Sequence, residues 1–182
     1  TILVLPERQG DLAPRVDALE LPRAYQPEAL SPFAFGRVFV LDLSSDCGQR
    51  CTFCATRSKF SPVKGAPASA TTAMLRGLRE AHDAGYRVLR LSGLDPLTHP
   101  DVFRLLHEGV RLGFEHVHIY SPFTTMAADH ARGALREALQ GARVTLHIPV
   151  YGPDQETHDT LTGTAGSFDA VHRALQGFRD EG

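Results

Sequence analysis

With 182 residues, 42% of them hydrophobic, the chain is long enough to bury one substantial core and too short to require a second complete domain. Nineteen Lys and Arg against 21 Asp and Glu give a formal charge of -2, which leaves no general electrostatic footprint for a phosphate backbone. No segment approaches the roughly 20 apolar residues that cross a bilayer, and Thr1 to Pro6 lacks the parts of a signal peptide, so a cytoplasmic protein is expected.

Residues 1–36 mix short apolar runs with Pro6, Pro14, Pro22, Pro27 and Pro32, a spacing that interrupts long helices and strands. They read as an irregular arm leading into a domain over 37–182. Val38 to Leu43 is apolar and β-prone, and Thr71 to Ala84 has helical spacing through Met74, Leu75 and Leu78, closed by Gly85. The unit repeats as strand Arg87 to Ser92, helix Pro100 to Leu112, strand His116 to Tyr120, helix Ala127 to Leu139, strand Arg143 to Val150 and helix Ser167 to Phe178. Gly113 and Gly141 stand at the expected chain reversals, and Pro100 suits a first helical turn, where its missing N–H has no intrahelical partner. Four β/α units in series predict an α/β fold with parallel strands.

Alternation sorts the strand residues into two faces. Val117 and Ile119 share one face, with His116, His118 and Tyr120 on the other; Leu89 and Leu91 lie opposite Arg90 and Ser92. In the fourth strand Val144, Leu146, Ile148 and Val150 oppose Thr145, His147, Pro149 and Tyr151. Helices cover the apolar face of a parallel sheet, so the polar faces converge on a common interior. A packed barrel would fill that interior with Val, Ile and Leu; Arg90, His118, Tyr120, His147 and Tyr151 predict a reaction cavity instead and are the candidate catalytic residues. Any one of them alone is more often a satisfied internal polar group. Four units cannot close an eight-strand barrel, so an open arc with an exposed edge near the fourth strand is expected.

The three cysteines fall within eight residues, Cys47-Gly-Gln-Arg-Cys51-Thr-Phe-Cys54, on the loop after the first strand. That is the end of a strand at which α/β barrels keep their active sites. An odd, tightly spaced set is the wrong pattern for a disulfide framework and a good one for a metal site. Thiolates serve iron–sulfur clusters and zinc alike. Three leave one iron of a four-iron cluster open, whereas structural zinc needs a fourth ligand such as His82 or His99. A non-catalytic zinc module therefore stands as the alternative.

The C-x3-C-x2-C spacing, with aromatic Phe53 before the last cysteine, resembles the signature of the radical S-adenosylmethionine superfamily. The resemblance implies that Cys47, Cys51 and Cys54 hold a [4Fe-4S] cluster whose fourth iron is chelated by S-adenosylmethionine. Reductive cleavage would give methionine and a 5′-deoxyadenosyl radical that abstracts hydrogen from a small-molecule or peptide substrate. An external electron donor such as flavodoxin or ferredoxin is implied with it.

Ser92-Gly93-Leu94-Asp95-Pro96, after the second strand, is similar to the family's Gly-Gly-Glu-Pro motif, so Gly93 and Asp95 are expected to receive the methionine amino group. Leu94 replaces the second glycine, where a positive φ would strain a leucine. Ser121 and Thr124 stand where members place hydroxyls near cofactor or substrate, and Arg57, Lys59 and Lys64 are candidates to neutralise a carboxylate. Residues 151–163 with 166–168 look like the stretch after the fourth strand in the branch of cofactor-biosynthesis and peptide-modifying (SPASM-type) enzymes, where it launches the next helix. Pro149 takes the place of a cofactor-contacting serine, for which His147 or Tyr151 could substitute.

The resemblance thus implies a partial, TIM-like (β/α) barrel of six units, about four of them present, cut short at the C-terminus. The missing units or a partner would cover the open edge, and no cysteine is left for an auxiliary cluster. An inactive fragment of such an enzyme is a further reading.

Overall fold

A computed structural model describes residues 38–43, 46–54 and 68–181; the arm over 1–36 and the candidates Arg57, Lys59 and Lys64 lie outside the described residues. Short β-branched and leucine-rich runs form β1 (Val38–Asp42), β2 (Val88–Ser92), β3 (His116–Tyr120) and β4 (Arg143–His147). They pair in parallel in the order β1-β2-β3-β4. The register lines up two kinds of row. Leu41, Leu91, Ile119 and Leu146 run side by side across the sheet, and one residue back Val40, Arg90, His118 and Thr145 do the same. Because successive side chains point to opposite faces, one row faces a core and the other an open cavity.

The core side is closed by α1 (Ala68–Asp83), α2 (Val102–Leu112) and α3 (Asp129–Ala138). Leu78 on α1 and Leu105 and Leu106 on α2 are fully buried against Leu89, Leu91, Val117 and Ile119 of the sheet. Each such leucine contributes roughly 1.5–3 kcal/mol over leaving it exposed. Gly85, Gly113 and Gly141, the expected reversals, all take positive φ. On the cavity side Val40 is 47% exposed, so the concave face over β1 is open at this residue.

Several boundaries differ from the sequence reading, most by one or two residues. Helix α1 starts at Ala68, and α2 starts at Val102 with Pro100 ahead of it and Asp101 as its cap. Residues Thr124–Ala127 form a 3-10 turn before α3. Strand β4 stops at His147 rather than Val150: it is an edge strand, and Pro149 has no N–H for a ladder. A helix that was not anticipated, α4 (Gln155–Thr162), precedes α5 (Ser167–Asp180). Its sequence hides it, since the buried positions are His158 and Thr162 instead of aliphatic residues, and eight residues give too short a window for periodicity.

The open edge is as expected, with no further strand beside β4 among the described residues. Val144 there is 36% exposed and lines a groove of about 830 Å³ with Leu146 and Phe178, so helices only partly cover the outer face of β4. Helix α5 packs on the Thr124–Ala127 turn, where Phe178 meets Phe123 edge to face at 5.9 Å. The buried Arg132 guanidinium ties α3 to the end of α5 by donating to Asp129, to Glu181 and to the Met126 carbonyl. No helix among the described residues is long and apolar enough to cross a membrane.

Candidate active site

The cysteine loop leaves β1 and is held from two sides. On one side, the Asp46 carbonyl accepts the Asp95 N–H at 3.0 Å and the Thr98 hydroxyl at 3.2 Å, which joins the loop to the turn after β2. On the other, Arg50 N–H donates to the Thr162 carbonyl at 2.8 Å and to Thr164 Oγ1 at 3.2 Å, and Thr52 N–H donates to the Leu161 carbonyl at 3.1 Å. The C-terminal carbonyls of α4, which an isolated helix leaves without partners, are thereby used to hold the loop.

Close approach of these two backbones requires Gly163. It ends α4 in the left-handed region at φ 58°, and a Cβ there would stand 2.7 Å from the Arg50 carbonyl oxygen. Gly163→Ala is expected to cost about 1–2 kcal/mol from the backbone conformation alone, and to push Arg50 and its neighbours out of place. Iron bound per chain after reconstitution and the thermal midpoint should both fall. If both equal those of the wild type, the loop does not depend on this contact.

Cys47, Cys51 and Cys54 form no disulfide, and each is partly exposed. Among the described residues no three His, Cys, Asp or Glu side chains converge to hold a single metal ion, so neither His82 nor His99 completes a zinc site with the cysteines. His82 pairs with Asp83 at 3.6 Å, and the Nδ1 of buried His99 accepts the Asp101 N–H at 3.1 Å. Ligands of a four-iron cluster each take a different iron, so they need not meet at one point.

Asp95 is the most heavily constrained polar residue of the site. It is fully buried. One carboxylate oxygen, Oδ1, accepts the Ser121 hydroxyl at 2.7 Å and the Leu97 N–H at 3.2 Å. The other, Oδ2, is sealed from solvent with no partner. Burial raises its pKa above the ordinary value, against the lowering pull of Ser121 and Leu97.

Ser121 in turn accepts the Phe123 N–H at 2.9 Å, and Phe123 is held at φ 57°, the one residue other than glycine with positive φ among those described. Leu94 therefore escapes the strain expected of it, and Gly93 takes φ 120° in its stead. Ser121, expected to touch the cofactor, is bonded to Asp95 and fixes that carboxylate's orientation. Thr124 opens the 3-10 turn that follows.

Four of the five candidate catalytic residues form one patch on the concave face. The Arg90 guanidinium lies over the Tyr120 ring, 4.2 Å from its centroid. Tyr120 stacks on His147 at 3.8 Å with the rings 4° from parallel, and His147 Nε2 is hydrogen-bonded to His118 Nδ1 at 3.0 Å. His116 extends the patch through Thr145 at 2.8 Å and the His118 ring at 4.1 Å. Burial lowers the pKa of all three histidines, and nearby positive charge lowers them further, so the patch favours neutral imidazoles at pH 7.

Tyr151, the fifth, is elsewhere. Its ring meets Phe53 edge to face at 4.8 Å, and burial together with the three neighbouring cysteines raises its pKa. Its N–H donates to Nδ1 of the buried His158 at 3.2 Å. Tyr151 and Phe53 thus belong to the cysteine loop. Sequence reasoning missed the support from α4 and His158; Asp154, which accepts the Thr157 N–H at 2.8 Å as a helix cap, and Gly163 were the available signals.

The residues present fit an iron–sulfur cluster with S-adenosylmethionine. Three thiols stand on one loop, which suits a cluster that keeps one iron open, and a buried carboxylate oxygen with no hydrogen-bond partner stands in the turn hydrogen-bonded to that loop. An ammonium group is the natural partner for such an oxygen.

The comparisons with known proteins agree. The chain is 28% identical over 144 residues to the AdoMet-dependent heme synthase of Methanosarcina barkeri (strain Fusaro / DSM 804), an overlap of 79% of this chain and 39% of that protein. A solved structure, "Native anSMEcpe with bound AdoMet and Kp18Cys peptide", shares the fold with a TM-score of 0.59 at 16% identity, over 79% of this chain and 41% of that one. The chain thus spans about two-fifths of each of these proteins, 39% and 41%. The model of the Radical SAM superfamily matches residues 42–182. With its open parallel sheet, helix-covered apolar face and cysteine loop beyond β1, the chain belongs to the radical SAM superfamily.

Proposed function

We propose that this chain forms the cluster- and cofactor-binding part of a radical SAM enzyme acting on a small molecule or a peptide. Cys47, Cys51 and Cys54 would hold a [4Fe-4S] cluster, and Asp95 with Gly93 would receive the amino group of S-adenosylmethionine. When bound and reduced, this pair supplies the electron and the 5′-deoxyadenosyl radical that removes hydrogen from a substrate. An external reductant such as flavodoxin or ferredoxin would deliver the electron.

The protein's own part is positioning. Ser121 and Leu97 hold Oδ1 of Asp95 and leave Oδ2 without a donor, and the hydrogen bonds to the Asp46 carbonyl tie the turn that carries this carboxylate to the cysteine loop. The observation that carries the reading is Oδ2 of Asp95: a buried carboxylate oxygen left without a donor costs stability unless a ligand uses it.

Anaerobic reconstitution tests the proposal. The protein is expected to bind about four irons per chain. Once reduced, it should convert S-adenosylmethionine to 5′-deoxyadenosine, read by chromatography. Stable binding of one zinc per chain in place of iron would overturn the reading, and a loaded cluster without deoxyadenosine would reduce it to an inactive fragment.

A further inference from the structure

The concave face of the sheet carries a cation that no described acid neutralises. Arg90 sits mid-strand in β2, partly buried, with its Nε sealed from solvent and lacking a hydrogen-bond partner. It takes part in none of the ion pairs among the described residues. The other buried arginine is handled differently: Arg132 meets two carboxylates and a carbonyl.

What surrounds Arg90 is aromatic. Tyr120 lies beneath its guanidinium, His147 is stacked on Tyr120, and His118 is bonded to His147. A ring face attracts a cation but cannot accept the five N–H groups of the fork. Nor do imidazoles biased toward the neutral form repel an incoming anion. They offer it N–H donors.

We infer that Arg90 is the anchor for a substrate carboxylate on the concave face, held in position by the Tyr120 and His147 stack beneath it. A guanidinium fork matches the two oxygens of a carboxylate, and its single charge balances a monoanion. Tyr120 is held between the guanidinium and the His147 ring, which fixes the cation in place and leaves its N–H groups to an incoming acceptor. The inference rests on the proposed function insofar as it makes this anion the substrate of that enzyme, and it narrows the substrate class to carboxylic acids.

Benzoate and benzamide serve as matched probes, titrated calorimetrically into the reconstituted chain with S-adenosylmethionine and into the metal-free chain. Benzoate is expected to bind about 10-fold tighter than benzamide or better, the range of one charge-assisted hydrogen-bonded contact. Arg90→Gln should abolish that preference, while Arg90→Lys, which keeps a charge without the fork, should retain part of it. Iron content and binding of S-adenosylmethionine should be unchanged in both variants.

Equal binding of the two probes by the wild type, absence of binding by either, or a benzoate preference that survives Arg90→Gln would overturn the inference. So would weaker cofactor binding in Arg90→Gln, which would assign the guanidinium to the cofactor's own carboxylate. If the wild type holds neither iron nor S-adenosylmethionine yet prefers benzoate through Arg90, the carboxylate site stands and the radical SAM reading fails by itself.

Discussion

Cys51→Ala is expected to leave the reconstituted protein with almost no iron and to lower deoxyadenosine formation by more than about 100-fold, since even outer-shell partners of a metal ligand cost 10–100-fold. Cys51 is the middle thiol of the C-x3-C-x2-C spacing. Its thiol donates weakly to Gln49 Oε1 at 3.5 Å and is only partly buried. The loop around it is held by backbone contacts of Arg50 and Thr52, which alanine leaves intact. The metal-free variant should therefore melt close to the metal-free wild type, so that loss of iron reports ligation instead of misfolding. Full iron loading of Cys51→Ala, measured as iron and sulfide per chain, would remove this residue from the ligand set.

Asp95→Asn separates function from stability in the opposite sense. An asparagine oxygen still accepts from Ser121 and Leu97 at the place of Oδ1, but the negative charge at Oδ2 is gone. Affinity for S-adenosylmethionine should fall by roughly 10- to 100-fold, the scale of a hydrogen bond to a charged group, while iron loading stays near the wild-type level.

The pH dependence follows from the raised pKa. In the range between the unfolded value of 3.8 and the higher folded value, the folded chain keeps a proton that the unfolded chain has lost. Stability of the cofactor-free wild type therefore falls as pH rises through that range, and the deficit is complete above the folded pKa. Asp95→Asn escapes it. Cofactor-free Asp95→Asn should melt at or above the wild type at pH 7, with the advantage disappearing below pH 3.8. A variant that loses cofactor affinity and also melts well below the wild type at pH 7 would make Asp95 a structural residue.

The two faces of the sheet were open to reading because period-2 alternation is a local property. Leu89, Leu91, Val117 and Ile119 face the helices and Arg90, His118 and Tyr120 face away, as expected from their spacing. The cysteine loop was equally plain, since its spacing and its place after a strand are both written within a dozen residues. The contacts of these residues were not. His147 reaches Tyr120 and His118 across β3 and β4 only because the parallel register sets Tyr120 opposite His147 and His118 opposite Thr145. Nothing within either strand states that register.

Tyr151 shows the limit most clearly. By alternation it extends the inner face of the fourth strand, but β4 ends at His147, and the chain instead carries Tyr151 to Phe53. Ser121 changed its meaning in a similar way: a hydroxyl after β3 reads as a ligand contact until Asp95, 26 residues earlier in the chain, proves to be its acceptor.

By itself, then, the sequence determined the parallel α/β arc, its polar concave face and the three thiols at the end of its first strand. Periodicity and motif spacing depend on neighbours in the chain. Only the tertiary structure decided what holds the loop of those thiols: the α4 carbonyls on Arg50 and Thr52, and the Asp46 carbonyl on the Asp95 turn. These are pairings between residues about 50 to 110 positions apart, set by how the helices pack on the sheet.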